Sequence, residues 1–105
     1  MDDTQILNTI SNDQLLVVYY SYPGCNVCKV LRPKVENLLQ AYSNATFLYV
    51  DIEQHPLIKG QQMVFTVPTV VVYNEGKELQ RWSRHFSVDD LHRLIDRYNG
   101  MLAGE

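Results

Sequence analysis

The sequence predicts an α/β domain, a four-stranded mixed sheet flanked by helices in the order α-β-α-β-α-β-β-α. Two continuous runs of β-branched and aromatic residues, Leu15 to Tyr20 and Thr46 to Asp51, bracket a helical stripe, which is the pattern of a parallel βαβ unit. A third run, Thr69 to Tyr73, meets Lys77 to Trp82 across Asn74-Glu75-Gly76, a hairpin connection that makes this pair antiparallel. The whole chain, residues 1–105, is read as a single domain, large enough to build a core without a metal or disulfide staple.

Each element has its own local cause. Ile6, Leu7 and Ile10 recur at helical spacing from Asp3 or Thr4 and stop near Ser11-Asn12-Asp13. Leu15-Leu16-Val17-Val18-Tyr19-Tyr20 is apolar on both faces, so it is the expected central strand. After the turn Ser21-Tyr22-Pro23-Gly24, the stripe Leu31, Val35, Leu38, Leu39 and Tyr42 predicts a helix from Cys25 to about Ser43-Asn44, bent by Pro33. Thr46 to Asp51 reads as a second buried strand. His55-Pro56 opens a short helix through Leu57 and Ile58 towards Gln62. Ser87 is a good N-cap for the last helix, whose buried stripe is Leu91, Leu94, Ile95 and Tyr98, with Gly100 as its stop and the residues beyond it frayed or in an extra turn.

Charge and composition exclude several functions. The net charge is −3, and no Lys/Arg cluster offers a nucleic-acid footprint. The longest apolar run is too short to cross a bilayer, and the acidic start Met1-Asp2-Asp3 is not a secretory leader, so a cytoplasmic protein is expected.

The informative feature is the pair Cys25 and Cys28, the only cysteines of the chain. At i and i+3 around a helix start, two thiols can close a small-ring disulfide and reopen it without refolding the domain. Unpaired N–H groups and the helix dipole stabilise the first thiolate, moving a thiol from about 8.5 towards roughly 7. Ionisation at neutral pH rises from about 3% to 50%, while intrinsic nucleophilicity falls about 5- to 6-fold, so the net gain in attack is only about threefold. The same shift improves Cys25 as a leaving group. Cys25 is therefore assigned as nucleophile and Cys28 as resolving thiol. A zinc site is the weaker reading, because there is no second cysteine pair and the six residues between His85 and His92 exceed the usual spacing. No metal or organic cofactor is expected.

Other residues match at spacings that carry a resemblance. Cys25-x-x-Cys28-Lys29 followed by Pro33, then Val67-Pro68-Thr69 and Asn74-Glu75-Gly76-Lys77, together resemble the thioredoxin family over roughly Leu15 to Tyr98. The resemblance implies thiol–disulfide oxidoreductase chemistry: Pro68 cis against the disulfide, and the backbone of Val67 pairing with an extended substrate segment. The expected function is reduction of protein disulfides by a monomer, with a reductase or a low-molecular-weight thiol as electron donor. Thr66-Val67-Pro68 also fits glutaredoxins, yet Asn74-Glu75-Gly76-Lys77 does not supply their Gly-Gly-x-Asp segment.

The departures are specific. The family's opening strand is absent, Asn26-Val27 replaces its usual Gly-Pro, and its two tryptophans before the first cysteine are Ser21 and Gly24. Its buried acid is Tyr19, with Tyr49 where a Lys partners that acid. A phenol near pKa 10 is no base at neutral pH, so resolution by Cys28 is expected to be slower or assisted by water or the leaving thiolate. These changes sustain an alternative, a binding or redox-sensing module that uses the Pro68 loop without turnover. Tyr20, Tyr49, Tyr73 and Trp82 are read as packing, His55 as a solvated loop residue, and Tyr22 and Pro23 as neighbours of the site. The direction of electron flow stays open at this level.

Overall fold

In the computed structural model, residues 1–103 are described. Helix α1 (Asp3–Asn12) is followed by β1 (Leu16–Ser21), α2 (Asn26–Leu39), β2 (Thr46–Asp51), α3 (Pro56–Gln61), β3 (Thr69–Asn74), β4 (Lys77–Ser83) and α4 (Val88–Ala103). The sheet order is β2-β1-β3-β4. Strand β1 runs parallel to β2 and antiparallel to β3, which pairs antiparallel with β4. This is the mixed sheet that the sequence predicts, with β1 inside it.

Alternation along β1 builds two cores. Leu16, Val18 and Tyr20 face Ile6 and Ile10 of α1 and Ile58 of α3. Val17 and Tyr19 face Val35 and Leu39 of α2 and Leu91, Leu94 and Ile95 of α4. Every residue of β1 is buried, because helices cover both faces and strands cover both edges. Asp2 caps α1 with a full capping box to Gln5, and Ser87 Oγ accepts from the Asp89 N–H at the start of α4.

Several boundaries differ from the expectation. Leu15 is buried but has φ 42°, so it turns the chain into the sheet and the strand begins one residue later. Helix α2 closes at Leu39 in i→i−3 bonds from Ala41 and Tyr42, leaving Tyr42 beyond the helix, where its hydroxyl donates to Asp96 at 2.6 Å. Strand β2 is an edge, with Val50 its only fully buried residue rather than a buried run. Helix α4 passes through Gly100 to Ala103, since that glycine keeps helical backbone and no close contact demands it. His55 is half-buried rather than a freely solvated loop residue: its Nδ1 and Asp3 Oδ1 lie 2.7 Å apart in a hydrogen bond that joins the start of α3 to α1.

The hairpin from β3 to β4 turns on Glu75 (φ 49°) and Gly76 (φ 86°), both left-handed as a type I′ connection requires. Its tip is tied down by the Glu75 N–H on the Asp13 carbonyl at 2.8 Å. Among the described residues, no helix is long and apolar enough to cross a membrane.

Buried tyrosines make the fold alkali-sensitive. Burial pushes the Tyr19 hydroxyl up to about 12 and raises Tyr20 and Tyr73, whose hydroxyls lie 2.9 Å apart. The unfolded chain ionises these groups near 10, so their contribution is intact below pH 10 and is lost as pH rises through the folded values. Denaturant titrations at pH 9 and pH 11 should show a loss of about 4 kcal/mol, at roughly 1.4 kcal/mol for each of the three tyrosines over the one pH unit above 10. A pH-independent unfolding free energy over that window would contradict this account.

Candidate active site

The turn Tyr22-Pro23-Gly24 leaves the end of β1, and the Cys25 N–H closes it on the Tyr22 carbonyl at 3.1 Å. Cys25 is therefore the N-cap of α2, with extended backbone, and Cys28 lies inside the first turn. The two are joined in a disulfide with Cα atoms 5.3 Å apart. The Cys28 N–H donates to Cys25 Sγ at 3.2 Å, the place an N-cap side chain usually takes with an oxygen. That bond and the helix dipole favour the Cys25 sulfur, at the N-cap, over that of Cys28 three residues further on.

Exposure follows the same order. Cys25 is 9% exposed and Cys28 3%. Cys25 lines a cleft of about 400 Å³ with Tyr22, Gly24, Val67, Pro68 and Arg84. The opposite wall, more than forty residues away in sequence, is the segment before β3, whose Val67–Pro68 peptide bond is cis. Thr69 Oγ1 holds this segment by donating to the Thr66 carbonyl at 2.7 Å, and the Arg84 N–H donates to the Pro68 carbonyl at 2.9 Å. Among the described residues no hydrogen bond occupies the Val67 N–H or carbonyl. Fold and sequence motif thus bring all four candidate residues, Cys25, Cys28, Val67 and Pro68, to one end of the sheet.

Behind Cys28 lies aromatic packing. Tyr19 and Tyr49 are partners across β1 and β2, with stacked rings 6.3 Å between centroids. Arg32 covers the outer face of Tyr49, its guanidinium carbon 4.0 Å from the ring centroid, and bonds Glu36 at 3.3 Å. The Tyr19 hydroxyl donates to the Cys28 carbonyl at 3.0 Å. Its pKa, pushed up to about 12 by burial first and Tyr49 next, keeps it a donor at neutral pH. Beside it, Ser21 opens a cavity of about 400 Å³ shared by Cys28, Lys29, Arg32 and Tyr49.

The sequence places Tyr22 beside the site and carries no sign of Arg84 there. The Tyr22 ring lies over Gly24, where an added Cβ would stand 2.8 Å from it, and Tyr22 borders the clefts on either side of the dithiol. Gly24 thus leaves room for an aromatic surface supplied from two residues earlier. Phe65 and Val27 are 76% and 65% exposed near the cleft. Their exposed apolar surfaces, visible only in the folded chain, suit a docking face beside the dithiol. Among the described residues, no group of three or more His, Cys, Asp and Glu is placed to hold a metal ion.

A cysteine pair at a helix start, facing a proline loop on a mixed sheet, defines a protein of thiol–disulfide exchange. The family model described as Thioredoxin matches residues 2–97. Thioredoxin of Chlamydia trachomatis is 30% identical over 91 residues, 87% of this chain and 88% of its own length. Thioredoxin-1 of Schizosaccharomyces pombe is 30% identical over 79 residues, 75% of this chain and 77% of its own. The solved structure of thioredoxin 1 from Thermosipho africanus superposes with a TM-score of 0.78 at 28% identity, covering 85% of this chain and 99% of that one. The chain belongs to the thioredoxin family, and its vicinal cysteines make it a thiol–disulfide oxidoreductase.

Proposed function

We propose that the dithiol works as a reductant of protein disulfides, with Cys25 attacking the substrate and Cys28 resolving the mixed disulfide. The observation that carries the assignment is the asymmetry of the pair: Cys25 is the N-cap, accepts the Cys28 N–H and lines the cleft under the Val67–Pro68 loop, whereas Cys28 lies one turn into the helix and borders only the cavity on the far side. Attack by the Cys25 thiolate breaks the substrate S–S bond and forms a mixed disulfide. Cys28 then attacks Cys25, forming the intramolecular disulfide and releasing the second substrate thiol. The substrate lies extended in the cleft, its backbone paired with Val67 and its disulfide against Pro68. A reductase or a low-molecular-weight thiol returns the electrons to the monomeric protein in a cytoplasmic, reducing setting.

Reduction of insulin by dithiothreitol tests this reading. Catalytic amounts of the protein should accelerate precipitation of the freed chains by about tenfold or more over the uncatalysed exchange. A rate equal to the blank would instead identify a binding or redox-sensing module built on the same loop.

A further inference from the structure

We propose that Arg84 is a specificity-determining residue that selects disulfides flanked by acidic side chains; the inference rests on the dithiol reading above. Arg84 holds φ 65°, a left-handed conformation that side-chain-bearing residues seldom adopt. Here the strained residue sits in the cleft wall with Cys25, Val67 and Pro68, fixed by its N–H on the Pro68 carbonyl at 2.9 Å. Its side chain is exposed, and among the described residues it has no carboxylate partner, a trait shared with Arg97 over the Tyr98 ring but not with Arg32, Arg81 and Arg93, which pair with Glu36, Glu78 and Asp90.

The surroundings repeat the sign. No acidic residue lines the Cys25 cleft, and the cavity on the far side of the dithiol is lined by Lys29 and by Arg32, the latter paired with Glu36 outside the lining. Acid enters only in the third neighbouring hollow, where Glu53 is matched by Lys59. A cationic mouth on a chain of net charge −3 is a local arrangement rather than a consequence of composition. A guanidinium in fork geometry suits a carboxylate one or two residues from the substrate cysteine. The occupant is therefore an extended, acidic segment of a disulfide-bonded protein.

The test uses the pre-reduced full chain and peptide disulfides identical except for Glu, Gln or Lys flanking the cysteine. In each reaction the Cys25/Cys28 dithiol is oxidised to its disulfide while the peptide disulfide is reduced to two thiols. Rates from quenched single turnovers are divided by those of dithiothreitol with the same peptide, which removes the effect of flanking charge on intrinsic reactivity. The Glu peptide should react about 5-fold faster than the Gln peptide at low ionic strength, contracting to about 2-fold at 0.5 M salt. Arg84→Gln should bring that ratio close to 1, Arg84→Lys should retain a preference for Glu, and Arg97→Gln, which removes the same charge outside both clefts, should leave the ratio as in the wild type. A Glu to Gln ratio near 1 in the wild type, or one unchanged by Arg84→Gln, overturns the proposal. Reduction of the Gln peptide in the same series shows that such a failure belongs to Arg84 alone; failure to reduce any peptide overturns the dithiol reading as well.

Discussion

Replacing Cys25 by Ser should abolish insulin reduction, a loss of at least about 10³-fold, whereas Cys28→Ser should halt at a covalent complex with substrate visible by mass spectrometry. The asymmetry follows from the helix start. Cys25 occupies the N-cap, meets the cleft and receives the Cys28 N–H, so its thiolate is both stabilised and reachable. Cys28, one turn into the helix and away from the Val67–Pro68 loop, is expected to meet substrate through the mixed disulfide that Cys25 has formed. Serine keeps the size of either side chain but is a far weaker nucleophile and cannot form a disulfide. Retained turnover in Cys25→Ser would reverse the roles assigned here.

Local pattern made most of this fold legible, and tertiary placement accounts for what escaped. The apolar runs of β1 and β3 and the stripes of α1 and α4 are period signals within one element, so they survive without knowledge of neighbours. Whether Thr46–Asp51 is central or at an edge depends on what lies beyond it, and the run alone does not say that nothing does. Gly100 carries a stop signal only if the chain turns left-handed there, and it does not. Tyr42 keeps the spacing of the α2 stripe, yet its hydroxyl is claimed by Asp96, a residue of another helix.

The site divides in the same way. The cysteine pair and Val67-Pro68 are motifs with their own spacing. Arg84 and Tyr22 acquire their positions from the meeting of β1, the β3 approach and the end of β4. Tyr22 is legible as a neighbour of the site from its place just before Gly24-Cys25, whereas no local pattern points to Arg84.

Exchanging Tyr19 tests how the resolving step proceeds without the family's buried acid. The hydroxyl donates to the Cys28 carbonyl and, with a pKa of about 12, neither ionises nor accepts the Cys28 proton near neutrality. Its contribution is to hold the first turn of a helix in which Pro33 has already removed one backbone donor. Tyr19→Phe keeps the ring stack with Tyr49 and loses one hydrogen bond, so stability should fall by about 1 kcal/mol with the resolving rate within about twofold of wild type. Tyr19→Asp exchanges a buried ring for a carboxylate beside the second thiol. The lost packing and the buried charge should cost about 3–5 kcal/mol. The new base should nonetheless speed resolution by about tenfold, with a pH dependence that follows its own ionisation. Stopped-flow measurement of mixed-disulfide decay from pH 6 to pH 9, alongside denaturant unfolding, separates the two effects. Equal decay rates in all three proteins would remove Tyr19 from the chemistry and leave proton removal from Cys28 to water or the departing thiolate.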